Sequence, residues 1–60
     1  MTKLELHVKT ELMKLGMTQR DLARELGIHY VQLNAVIKGR RDDRIVTEAI
    51  WSWLRKIWGA

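Results

Sequence analysis

TQRDLARELGIHYVQLNAVIK, residues 18–38, is the stretch whose reading decides the fold. It reads as two short helices joined by a tight turn at Gly27. Leu22, Ala23 and Leu26 mark the inner face of the first helix, and Leu33, Val36 and Ile37 that of the second, because apolar residues three or four apart share one side of a helix. Gly27 falls just past a helix end, where φ is often positive and a Cβ is costly. Ile28 then plugs the corner. Ala23 is small where the two helices have to cross closely. Thr18 caps the first of them, with Asp21 as the acidic partner of the cap. The spacing predicts helices over about 19–26 and 29–38, with Gly39 ending the second.

Upstream, Thr2 begins another helix, and Thr2 and Glu5 have the spacing of a capping box. Leu4, Val8, Leu12 and Leu15 recur at helical spacing, and Leu6 and Met13 widen that stripe on one side. Lys3, Lys9, Lys14, Glu5 and Glu11 are expected on the outer face, and His7 at the surface or its boundary. Gly16 ends this helix, and Met17 links it to the next. Downstream, Arg40, Arg41, Asp42, Asp43 and Arg44 make a charged connection, in which Asp42 or Asp43 can cap a last helix over about 44–58. Ile45, Val46, Ala49, Ile50, Trp53, Leu54 and Ile57 cover one broad half of that helix. Trp51 and Trp58 lie together on the shoulder of its apolar stripe. The whole is expected to be one all-α domain of four small helices over 1–60.

Composition agrees. The chain has 60 residues, no Pro and no Cys, and a formal net charge of +4. Without Cys there is neither a disulfide framework nor a thiolate metal site. The two His residues, His7 and His29, lack metal-ligand spacing, so no metal and no cofactor is expected. Neither a Ser-His-Asp nor a Cys-His arrangement is available, and no Gly-rich phosphate loop occurs, so no enzyme is expected. A basic balance suits a polyanionic partner. No apolar run approaches the about 20 residues that span a bilayer, and charged residues from Lys3 onward interrupt any leader pattern. The expected location is therefore the cytoplasm.

A small residue, then Gly four positions on, then an apolar residue six positions further is the helix-turn-helix spacing; an ordinary helical hairpin is the plainer alternative. The run TQxxLAxxLGI, followed by Leu33 and then Ile37-Lys38-Gly39-Arg40, resembles the phage Cro and repressor type of helix-turn-helix protein, the XRE family. The resemblance covers residues 18 to about 41 well and the first helix loosely. It implies a lambda-repressor/Cro-like fold, sequence-specific binding of double-stranded DNA at the bacterial nucleoid, and a homodimer on a palindromic operator. The family usually continues with two further helices where this chain has length for one, so a dimer surface has to come from elsewhere. Trp51, Leu54 and Trp58 are expected to supply it, with Trp53 in the core; folding of Trp51 and Trp58 back over the first helix is the alternative.

The resemblance also implies roles. Gln19 matches a phosphate-contacting position, and a helix N-terminus offers free N–H groups to phosphate; it also suits a first helical turn for itself. Tyr30 and Val31 match positions that reach base edges, and Ala35 one that can touch a thymine methyl. Having no hydrogen-bonding side chain, Val31 and Ala35 favour thymine methyls, whereas Asn34 at a base would favour adenine. Asn34 and Lys38 match backbone or near-base contacts. His29 sits at the cap and is read as a phosphate contact or a boundary residue, and Tyr30 as a base reader or a ring packed on the core. Arg40, Arg41 and Arg44 are placed to grip the backbone, unless Asp42 and Asp43 pair with them in a solvated loop. The apolar outer face of the 29–38 helix leaves a second function open: a protein-interaction module, antirepressor-like, on the same fold.

Overall fold

Four helices follow one another along the computed structural model, which describes residues 2–59: α1 Lys3–Leu15, α2 Gln19–Leu26, α3 Tyr30–Ile37 and α4 Arg44–Gly59. The outer two positions of the expected 1–60 domain lie outside the described residues.

Each helix starts on a side-chain acceptor, as orphan first-turn N–H groups require. The Thr2 hydroxyl accepts from the Glu5 N–H at 3.0 Å. Only that half of the expected box forms, because the Glu5 carboxylate turns to Lys9 at 3.3 Å and to Lys38 at 3.9 Å. At α2 both halves form: the Asp21 N–H meets the Thr18 hydroxyl at 3.1 Å, and the Thr18 N–H meets the Asp21 carboxylate at 2.9 Å. The α3 cap is His29, whose Nδ1 accepts from the Val31 N–H at 3.1 Å, so the helix begins one residue later than expected. Asp43, rather than Asp42, caps α4: its carboxylate accepts from the Val46 N–H at 3.2 Å and from the Gln32 amide at 3.0 Å.

Gly27 has φ 72°, and the Ile28 N–H reaches back to the Ala23 carbonyl at 3.0 Å, closing α2 before the turn. Leu22 and Ala23 of α2 meet Leu33, Val36 and Ile37 of α3, all buried. Val8 and Leu12 of α1 and Val46, Ile50, Trp53 and Leu54 of α4 complete the core, with Leu4, Met17, Leu26 and Ile28 packed around it.

Three expectations about burial are corrected. Glu5 and Glu11 are buried, while Leu6, Met13 and Leu15 are exposed. Helix α1 packs on both α3 and α4. The covered arc is centred on Val8 and flanked by the two glutamates, whose stems cover apolar surface while their carboxylates reach Lys9, Lys38 and Lys14. Leu6 and Met13 fall outside that arc, and Leu15, on the last turn of α1, stays 49% exposed. Ile45, expected in the apolar half of α4, is 83% exposed because it lies at the far edge of that half, while Val46 from the same turn faces the core at 2%. Leu54, expected at a dimer surface, is 0% exposed within a single chain. The covered arc of α4 extends past Ile50 to take in Leu54 on its flank, and the same side chain cannot also face a partner.

Candidate nucleic-acid interface

The close crossing of α2 and α3 over Ala23 brings the first residue of α2 beside the middle of α3. The Gln19 Oε1 there accepts from the Asn34 amide nitrogen at 3.1 Å. Both side chains are half-buried. The bond occupies one acceptor of Gln19 and one donor of Asn34. The Gln19 amide N–H groups and the Asn34 carbonyl oxygen are left to face an outside partner.

Next to this pair, α3 presents Tyr30 and Val31 to solvent, Val31 at 63% exposure, with Ala35 half-buried one turn on and Lys38 exposed at the C-cap. The Tyr30 ring is not packed into the core. It carries the Arg20 guanidinium, whose central carbon lies 4.9 Å from the ring centroid. His29 is exposed, and its Nδ1 accepts the cap bond.

Beyond α3 the chain turns at Gly39, with φ 79°, and the N–H groups of Arg40 and Arg41 both close on the Ala35 carbonyl, at 2.9 and 3.3 Å. Arg40, Arg41 and Arg44 are exposed, and among the described residues none forms an ion pair. No ion pair joins these arginines to Asp42 or Asp43 among the described residues, although the charge of Arg41 acts on the Asp43 carboxylate. Asp43 is engaged as a cap instead, and hydrogen bonds from the Val46 N–H and the Gln32 amide hold its carboxyl below the usual range despite partial burial. Lys38 differs from the arginines in sharing the Glu5 carboxylate. For Glu5, burial favours the neutral acid, yet the Lys9 hydrogen bond and the charges of Lys9 and Lys38 outweigh it and keep the carboxyl below its usual range.

The fold therefore gathers Gln19, His29, Tyr30, Val31, Asn34, Ala35 and Lys38 on α3 and its approach, and sets Arg40, Arg41 and Arg44 on the connection that follows. Trp51 and Trp58 are elsewhere, on the α1–α4 face. Their rings meet edge-on at 6.3 Å, and each meets His7, at 5.9 and 5.3 Å. Trp51 is half-buried by this contact, and Trp58 stays 48% exposed.

Three participants were not singled out from the sequence. Arg20 is given no role there. Gln32 fixes α3 to the cap of α4, and Glu5 reaches Lys38. Each acts between helices, so helical periodicity carries no signal for it. Among the described residues no cluster of His, Asp or Glu has the arrangement to hold a metal ion, and no helix is long and apolar enough to cross a membrane.

A family model described as helix-turn-helix matches residues 8–42, from the middle of α1 through α3 to the arginine connection. No curated protein and no solved structure matches the chain.

Proposed function

The chain belongs to the XRE-type helix-turn-helix family of DNA-binding regulators, and from that premise we propose that it is a phage or prophage repressor or Cro-like switch protein, acting at the bacterial nucleoid. In this reading α3 lies in the major groove. Val31 and Ala35 meet thymine methyls, and Tyr30 lies at the base edges. Gln19, His29, Asn34 and Lys38 position the helix through phosphates or neighbouring bases. Arg40, Arg41 and Arg44 hold the backbone beside the groove. The observation that carries the reading is the juxtaposition of an exposed, almost charge-free α3 surface with three exposed arginines on the next segment, none of which forms an ion pair among the described residues. A face built for water alone would carry the charges on the helix itself.

A single α3 reads a single half-site, so the protein works as a homodimer on a two-fold operator, with half-sites about 34 Å apart. Trp58 and the edge of Trp51 supply the contact, without Leu54.

Selection from random-sequence DNA, followed by gel shifts over a salt series, tests the reading. An enriched motif is expected, with affinity falling steeply as salt rises. Four cations on the backbone give a log–log slope of about −4 per copy. No enriched motif and no salt dependence would overturn it. The exposed apolar side chains of Val31 and Ile45 favour the second reading, a protein partner on the same fold, and that outcome of the selection would leave it standing.

A further inference from the structure

Arg20 has no place in the roles assigned above, yet it is the cation nearest the front of α3. It is exposed on the first turn of α2. Its guanidinium lies over the Tyr30 ring, 4.9 Å from the centroid, and among the described residues it makes neither an ion pair nor a side-chain hydrogen bond. Arg24, one turn later on the same helix, contrasts with it by pairing with Asp21 at 3.8 Å.

We propose that Arg20 is a specificity-determining residue: held on the Tyr30 ring, its guanidinium reads a guanine at the edge of the half-site. The proposal rests on the DNA-binding reading above and names a base that reading leaves unread.

A free surface arginine loses considerable side-chain entropy when it is fixed. An aromatic platform holds the group in place without a carboxylate to occupy its N–H donors. All five donors stay available for an outside acceptor. Tyr30 is the first residue of α3, so the platform stands where that helix meets the groove. Val31 and Ala35 detect methyl groups and can make no hydrogen bond to a base. A guanine presents O6 and N7 side by side in the major groove, and a planar fork matches that pair. Phosphates already have Lys38, Arg40, Arg41 and Arg44. A guanidinium directed by a recognition-helix side chain adds discrimination rather than another backbone anchor.

The test is selection from random-sequence DNA with the wild type, Arg20→Ala, Arg20→Lys, Tyr30→Phe and Tyr30→Leu, followed by affinity measurements on the selected site. Arg20 is exposed, so its variants are expected to fold as the wild type does, and circular dichroism checks this. The wild-type motif should contain a guanine whose preference disappears in Arg20→Ala and weakens in Arg20→Lys, while the rest of the motif is kept. Loss of the contact should weaken binding to that site by about 5- to 150-fold. Tyr30→Phe keeps the ring and should keep the guanine; Tyr30→Leu should lose it. A wild-type motif unchanged in Arg20→Ala overturns this inference and leaves the DNA reading intact. A wild type that enriches no motif overturns both.

Discussion

The hydroxyl of Thr2 donates to the carbonyl of Ile37 at 2.8 Å while accepting from the Glu5 N–H at 3.0 Å. One side chain thus caps α1 and pins the end of α3. The Thr2 methyl also lies 3.4 Å from where a Cβ on Gly39 would stand, so the turn that leads to the arginines is packed against the start of the chain. Thr2→Val keeps the shape and removes both bonds. Loss of a cap and of one further hydrogen bond is expected to cost about 1–3 kcal/mol, and Thr2→Ser should recover most of it. Urea denaturation of the three proteins decides this; equal midpoints would show that the bridge adds nothing.

Gly27→Val is expected to destabilise the fold through its backbone alone. The residue has φ 72°, and no atom stands within 4 Å of a Cβ built there. The penalty is therefore the strain of a β-branched residue in the left-handed region, about 1–3 kcal/mol, rather than a clash. Gly27→Asn should be milder, because asparagine tolerates that region. A Val variant that melts with the wild type would mean the turn has another conformation.

Acid should unfold the protein by protonating three carboxylates. Glu5 is held low by Lys9 and Lys38 against the effect of burial, Asp21 by the Thr18 N–H and hydroxyl, and Asp43 by the Val46 N–H and the Gln32 amide. A carboxyl whose pKa is lower folded than unfolded adds stability above its unfolded value, and that stability is lost as pH falls through the folded value. The decline is thus expected to begin as pH falls through the unfolded values, about 4–5, and to continue below them. Asp43→Asn can still cap α4, so it should retain most of the stability at pH 7 and show a shallower loss between pH 5 and 3. An unaltered acid limb in that variant would remove Asp43 from the account.

The local features were legible in the sequence because they depend on near neighbours. Gly27, the Thr18–Asp21 box and the Leu33–Val36–Ile37 stripe each rest on residues within one or two turns. Which flank of a stripe is covered was not legible. On α1 the choice fell to Glu5 and Glu11 over Leu6 and Met13, because α3 and α4 both pack there and the lysines neutralise the carboxylates. On α4 the same ambiguity placed Leu54 outward, although it fills the core. For the interface, helical spacing put Val31 and Ala35 on one side of α3. The bonds that orient that side, Gln19 to Asn34 and Gln32 to Asp43, join residues 15 and 11 positions apart and follow from the packing of whole helices.

Backbone and base contacts should separate by mutation. Arg41→Ala is expected to weaken binding about equally on all DNA sequences and to lower the salt slope by about one. Val31→Ala should leave the slope unchanged and relax the preference for thymine at one position per half-site. Gel shifts on the selected site and on a thymine-substituted site, at several salt concentrations, compare the two. Uniform weakening by both variants would contradict the division of roles between α3 and the connection after it.

Trp58→Glu should convert a homodimer into a monomer. A single helix-turn-helix module buries little DNA surface, and with Leu54 inside the core the exposed apolar surface of α4 centres on Trp58, at 48% exposure. The Trp51 and Trp58 rings both pack on His7 of α1, at 5.9 and 5.3 Å, but Trp51 is half-buried and is therefore the poorer probe. Because the Trp58 ring also meets His7 and Trp51, a circular-dichroism melt of Trp58→Glu checks that an altered sedimentation coefficient reports association rather than unfolding. Wild type is expected to sediment as a dimer at high micromolar concentration without DNA, and Trp58→Glu as a monomer that binds the two-fold operator more weakly and with less cooperativity. A wild type that remains monomeric under those conditions would remove the preformed dimer and leave two copies to meet only on the operator.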